Sequence, residues 1–333
     1  MPLAVVSSAP EFLFRRALSG PLVYRHRECD VGLAQADALV IDEAATVERW
    51  RAFAAGGRER VAAEAEWLAE VEARVVMADI PPLAFDAAAE AGVAAVGLGN
   101  FSWDWIYRHL SRRQPRLAEA ADAAAASYGH AHLLLELPFA GDLAAFPRRE
   151  RIPLVARQPK RPRNEVREML DHVGGTLVLL SFGGLGLPGF DARMLEGLTG
   201  FRFVQVGEAR AAANVRSLRA EQLEVLGLGY EDVVAAADVV VTKPGYGIVS
   251  DAIAARTRIV YTERGDFPEY PILVEGMAGY LPCVHVSNED LRAGRLEEPL
   301  RRVLGMPFPP PADTSGAAVA AERLLAIAES ASR

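Results

Sequence analysis

Short unbroken apolar runs alternate along this chain with stretches whose apolar residues recur at helical spacing. In the first half the runs at 3–7, 22–25, 74–78, 93–98 and 132–136 read as strands, and the segments 11–18, 43–71, 83–91, 103–109 and 115–127 read as helices. Such alternation predicts a parallel sheet covered by helices. From 147 to 162 the chain turns Pro- and Arg-rich around a short apolar run at 152–155, the pattern of a linker carrying one last strand. The alternation then restarts. Strands are expected at 177–180, 201–206, 239–241, 258–261 and 284–286, and helices at 190–198, 232–237, 249–255, 270–278 and 289–304. The tail 312–330 follows the breaker Pro309, Pro310, Pro311 and predicts an amphipathic helix that packs back across the domain junction. The expected division is therefore 1–155, 156–311 and a C-terminal helix within 312–333, with both domains doubly wound α/β sheets.

Composition narrows the function classes. A content of 51% hydrophobic and 24% charged residues is that of a globular chain able to bury real cores. The formal net charge of -8 argues against a general nucleic-acid binder, and Arg157, Lys160, Arg161 and Arg163, interrupted by Pro159 and Pro162, read as an exposed linker. The two cysteines, Cys29 and Cys283, have no metal-like spacing, so no metal is expected and a reducing, cytoplasmic setting fits. Neither a signal segment nor a transmembrane run of about 18 apolar residues is present.

The stretch EDVVAAADVVVTKPGYGIVSD, 231–251, carries the strongest chemical signal. Val239, Val240 and Val241 suit a strand buried on both faces; Lys243, Pro244, Gly245, Tyr246 and Gly247 break it, and helix resumes near Ile248. The positive end of that helix and the turn amides would face an anion such as a diphosphate, with Lys243 as a nearby cation. The competing readings are an unliganded αβ turn and a solvated lysine. Further Gly-bearing turns, Ser181–Phe182–Gly183–Gly184 and Gly207–Glu208, fall at the ends of other strands on the same expected rim. The loop TERGDFPEY holds Arg264, Asp266 and Glu269. Its carboxylates suit sugar hydroxyls, and Arg264 suits either a phosphate or an ion pair that clamps the loop.

In the first half Asp79 directly follows a strand and is a candidate general base. The segment NFSWDWIY sets Asn100, Ser102 and Asp104 beside Trp103 and Trp105, a mix suited to a sugar or planar acceptor; the tryptophans are alternatively core and Ser102 a helix cap. His26, Glu28, Cys29 and Asp30 read as the outward polar face of a strand.

The segments SAPEFLFRRAL, ECDVGLAQADALVID, NFSWDWIY, SFGG and ADVVVTKPGYGIVSDAI followed by RGDFPEY resemble the GT-B glycosyltransferase-like family of the MurG type, and in particular the domain preceding the kinase in L-arabinokinases. The resemblance implies two facing Rossmann-like domains. It places Gly183, Gly184, Lys243, Gly245, Gly247 and Ser250 at a nucleotide-sugar donor, with Asp266 and Glu269 near its sugar, and implies no metal or cofactor. Asp251 stands where such relatives commonly carry a Glu that holds the ribose. The family pattern also opens with a strand and a Gly/His-rich turn ahead of the segment resembling SAPEFLF, so one β-α unit is expected to be missing here. The implied activity is hexosyl transfer from a nucleotide-diphosphate donor to an acceptor hydroxyl, with Asp79 or Asp104 as base and Asn100, Ser102 and Trp103 on the acceptor side. The alternatives are a non-catalytic nucleotide-sugar or sugar-phosphate binding module partnering a sugar kinase, and a UDP-sugar epimerase.

Overall fold

The computed structural model describes residues 2–18, 20–35, 41–171, 174–182, 190–207 and 212–330. Two compact units result. The first comprises Met1–Ala34, Ile41–Ile152 and Ala318–Arg333, and the second is built on Pro153–Ala317.

The first unit begins with β1 (Leu3–Ser7), α1 (Glu11–Ala17) and β2 (Leu22–His26), which make a two-stranded parallel sheet. The expected long helix is two, α2 (Glu43–Ala55) and α3 (Gly57–Glu70), interrupted at Gly56; Asp42 caps α2 by accepting from Ala45 N–H at 2.8 Å. There follow β3 (Val75–Ala78), α4 (Pro82–Ala91), β4 (Ala94–Gly99), α5 (Trp103–Leu110), α6 (Leu117–Tyr128), β5 (Leu133–Glu136) and β6 (Arg149–Arg151). Strands β3, β4, β5 and β6 form a second parallel sheet in chain order. Among the described residues β1 and β3 do not pair, so the one continuous sheet expected for this half is described as two pieces. The last strand also lies earlier, at Arg149–Arg151 rather than 152–155.

The core of this unit is aromatic. Phe85, Tyr128 and Phe146 meet with ring centroids 4.5 to 5.7 Å apart. Gly97 on β4 makes room for them, since a Cβ there would stand 2.8 Å from Leu134 Cδ1 and 3.2 Å from Phe146.

The second unit contains α7 (Arg163–Met169), β7 (Thr176–Ser181), a 3-10 turn at Ala192–Leu195, β8 (Phe201–Val206), β9 (Val215–Leu218), α8 (Ala220–Val225), α9 (Tyr230–Ala236), β10 (Val239–Thr242), α10 (Tyr246–Ala255), β11 (Arg258–Tyr261), α11 (Glu269–Met277), β12 (Cys283–His285), α12 (Asn288–Arg292) and α13 (Glu297–Leu304). Its six parallel strands run in the order β12-β11-β10-β7-β8-β9, so the order in which strands are added reverses between β7 and β10. The inner strands are buried on both faces, which is why β10 reads as Val-Val-Val-Thr without alternation. Several expectations shift here. The helix at 190–198 reduces to the 3-10 turn, the helix at 289–304 splits around Gly294 (φ +71°), and α7, β9 and α8 were not anticipated. Helix α14 (Gly316–Ser330) joins the first unit, where Arg323 Nε donates to Glu150 Oε1 at 2.8 Å.

Phe85→Ala should cost about 3 to 5 kcal/mol, the range for truncating a buried phenylalanine, read as a lowered urea midpoint at unchanged slope.

Candidate functional site

An open α/β sheet binds ligands at the carboxyl ends of its strands where the order reverses. In the second unit this is the end of β7 and β10, and α10 begins there. Its N-cap is Gly245 (φ −146°, ψ 156°), no side chain caps it, and no acidic residue occupies its first turn. The capping position therefore offers no side-chain acceptor to the first N–H groups of the helix. A cation stands beside them. Arg264 Nη1 donates to Pro244 O at 3.2 Å and would lie 3.7 Å from a Cβ added at Gly245. The same nitrogen donates to Glu269 Oε2 at 2.6 Å, and the guanidinium lies 4.1 Å from the centroid of Phe267. Of the two roles open to Arg264, the loop clamp is the one formed. Glu269, only 2% exposed at the start of α11, holds that arginine against the turn.

Lys243 is half-buried at the head of the turn, Gly247 is exposed with nothing within 4 Å of an added Cβ, and Asp266 is exposed on the loop after β11. Ser250 is buried and its hydroxyl donates to Gly247 O at 3.0 Å, within its own helix. Gly183, Gly184 and Glu208 lie outside the described residues.

Asp251 occupies a network the linear order of residues does not reveal. It is 2% exposed; its Oδ1 accepts from Arg157 N–H at 3.1 Å, and its Oδ2 accepts both from Arg157 Nε at 3.0 Å and from Nη2. The Arg157 guanidinium also lies 5.8 Å from the Tyr230 ring centroid, and Tyr230 donates to Ser181 Oγ at 2.6 Å. Thr242 Oγ1 reaches Ser181 O at 2.6 Å, tying together the ends of β7 and β10.

In the first unit a set of carboxyl groups sits in desolvating surroundings. Asp79 leaves the end of β3, and the next residue, Ile80, is held at φ +54°, a strained conformation for a β-branched side chain. Tyr128 donates to Ile80 O at 2.8 Å and fixes that turn. The Asp79 side chain retains open surface, yet dense protein around its carboxyl raises its pKa, and the charge of Asp30 adds to the rise. Asp30 itself is not on an outward strand face. It follows β2 and accepts from Trp103 Nε1 at 2.8 Å, and desolvation raises its pKa as well. Trp103 stacks on Tyr107 at 5.6 Å, so one of its roles is packing.

Asn100 is buried and donates to Phe139 O at 3.5 Å. Ser102 stands at the N-cap of α5 without making a cap bond, and donates instead to Asp142 O at 3.3 Å. Asp104, in the first turn of α5, has its Oδ1 buried with no hydrogen-bond partner; burial raises its pKa, opposed by a hydrogen bond with Ser102. Among the described residues no group of three or more His, Cys, Asp or Glu could hold a metal, and no helix is long and apolar enough to cross a membrane.

The chain matches solved structures over almost its whole length. A UDP-glucosyltransferase from Polygonum tinctorium aligns with a TM-score of 0.56 at 12% identity, covering 99% of this chain and 94% of that one. The glycosyltransferase VinC, solved in complex with dTDP, aligns with a TM-score of 0.57 at 14% identity, covering 92% and 88%. The chain has the GT-B-like fold. At the level of sequence this GT-B-like chain is 32% identical over 307 residues to L-arabinokinase of Arabidopsis thaliana, a match covering 91% of the chain and 29% of that relative. No family model matches it.

An acid whose folded pKa is raised binds its proton more tightly when folded, so stability declines as pH rises above the unfolded carboxyl value near 4 and through the folded one. Asp104→Asn should remove part of that decline. Unfolding at a series of pH values is expected to show the variant gaining on the parent as pH rises from about 4 to 7.

Proposed function

We propose that the chain is a metal-independent glycosyltransferase that moves a hexosyl group from a nucleoside-diphosphate sugar to an acceptor hydroxyl. The observation that carries this is the uncapped start of α10 at the strand-order reversal, with Arg264 braced behind it. A diphosphate needs several donors in a fixed array and no carboxylate close by, and Gly245 to Gly247 supply such an array. In this reading Lys243, Gly245, Gly247 and Ser250 border the diphosphate, together with Gly183 and Gly184. Asp266 meets the sugar, while Glu269 acts by holding Arg264.

The acceptor oxygen attacks the anomeric carbon, the bond from that carbon to the diphosphate breaks, and the leaving charge falls on the α10 amides. The acceptor proton passes to a carboxylate, for which Asp79 and Asp104 are the candidates. A base with a raised pKa takes that proton more readily, and both groups are shifted in that direction. Asn100, Ser102 and Trp103 would shape the acceptor side. A protein of this fold solved with dTDP, and another named a UDP-glucosyltransferase, support the donor class, not its identity.

A second reading is favoured by the engagement of Asp251. The acid expected at a donor ribose is already held by Arg157, which removes one contact a glycosyl donor would use. The similarity to a segment of L-arabinokinase fits a module that serves a sugar kinase.

Isothermal titration with UDP-, GDP- and dTDP-sugars is expected to give saturable binding of at least one donor, weakened about tenfold or more by Lys243→Ala and by Gly245→Leu, which covers the amides. Absence of binding by every donor removes the first reading and the nucleotide-sugar form of the second. Binding without transfer or hydrolysis across an acceptor panel removes the first and leaves the second.

A further inference from the structure

The Arg-rich run at 157–163 is exposed yet anchored. Arg157 pairs with Asp251, the N–H groups of Lys160 and Arg161 donate to the buried Asp232 at 2.6 and 3.1 Å, and Arg163 opens α7. There the run enters a cluster of guanidiniums at the amino ends of β7, β10 and β11. At about 3.3 Å per residue, β10 sets this end about 15 Å from the start of α10.

Arg163 and Arg167 cap the carboxyl end of α9: Arg163 Nη2 donates to Ala237 O at 3.2 Å and Arg167 Nε to Ala236 O at 2.8 Å. Both also bond Asp238, the residue before β10, whose Oδ2 in addition accepts from Leu177 N–H at 2.8 Å. Both oxygens of that carboxylate are therefore engaged. Arg258, the first residue of β11, pairs with Val239 across the strands, one residue beyond Asp238. Its guanidinium lies 4.6 Å from the centroid of Phe308, and that of Arg256 lies 4.8 Å from the same ring. Arg256, held at φ +53° after α10, donates to Pro309 O at 3.3 Å. Among the described residues neither Arg256 nor Arg258 has a carboxylate partner, and Arg258 Nε is buried without a hydrogen bond.

Four guanidiniums thus gather around one carboxylate. The carboxyl ends of α9 and α10 lie here too and carry about half a negative charge each, so about two positive charges remain uncompensated. The pKa of Arg163 is lowered, chiefly by burial; Asp238 opposes this, and the charges of Arg167 and Arg258 add to it. Solvation covers only part of the cost, since the Arg167 side chain is 23% exposed and Arg258 Nε is enclosed. On a chain of formal net charge -8 the cluster is a local reversal of sign. A compact dianion with several oxygens would offset the repulsion, and planar forks braced against an aromatic ring suit it.

We propose that the amino ends of β7, β10 and β11 form an anion site, separate from the start of α10, that takes the phosphate monoester of a small molecule between the guanidiniums of Arg163, Arg256 and Arg258. The phosphate oxygens accept from guanidinium nitrogens that the protein leaves unused, and a charge of about −2 near neutral pH matches the excess.

The test is an NMR titration of the full isotope-labelled chain with inorganic phosphate and with glycerol phosphate, each against sodium chloride of equal ionic strength. It is read at the side-chain Nε–H signals of Arg163, Arg256 and Arg258, while the Gly247 amide reports separately on the start of α10. Saturable shifts at all three arginines with both phosphates, and none with chloride, are expected. Arg258→Gln keeps an apolar stem on Phe308 and removes one cation. It should weaken phosphate binding at Arg163 and Arg256 by about tenfold or more and leave the Gly247 response as in the parent. Arg256→Asn, at an exposed position whose left-handed backbone suits Asn, should do the same at Arg163 and Arg258. The proposal is overturned by shifts that chloride reproduces, by no saturation, or by equal affinity in either variant that retains its unfolding transition. Saturation by inorganic phosphate without glycerol phosphate also overturns it, leaving an adventitious ion only.

Discussion

The backbone N–H groups at the start of α10 are the constraint on which the functional account depends. A helix leaves its first amides without intrahelical partners, and proteins usually satisfy them with a capping side chain or an early acid. Here the capping position is Gly245 and the first turn has no acid, while the strand that leads into it is wholly buried. The start of the helix therefore carries the positive end of the helix dipole with no acid in its first turn.

The surroundings reinforce that placement. Arg264 bonds the carbonyl of Pro244 while Glu269 fixes the arginine from below, so the clamp holds the turn without adding a carboxylate to its open side. A separate lattice of Thr242, Ser181, Tyr230, Arg157 and Asp251 ties the strand ends to α9 and α10. Buried polar groups of this kind are costly unless mutually satisfied, and satisfied they fix one arrangement. In the first unit Asp79 and Asp104 are held in surroundings that raise their pKa, and Ile80 is held in a strained conformation.

Much of the fold was legible in the linear order of residues. The run Val239 to Val241 has no polar alternation because both faces are covered, and the Gly-bearing turn after it marks a strand-to-helix junction wherever it occurs. Strand β9 was not legible, because Arg216 and Ser217 interrupt its apolar pattern at the outer edge of the sheet. The break between α2 and α3 at Gly56 hid inside a continuous helical repeat. At the candidate site the residue types could be read and their partners could not. Arg157 meets Asp251 across 94 positions and Asp30 meets Trp103 across 73, and local spacing carries no trace of either contact. Nor could local pattern reveal that, among the described residues, β1 and β3 do not pair, since pairing is set by position in space.

The most direct test of the central claim is an NMR titration of the isotope-labelled chain with UDP, dTDP and GDP, following the backbone amides of Tyr246, Gly247 and Ile248. An anion seated on the start of α10 predicts saturable shifts at these amides with at least one nucleotide, stronger than elsewhere in the second unit. Saturable binding that leaves all three unmoved would contradict the account.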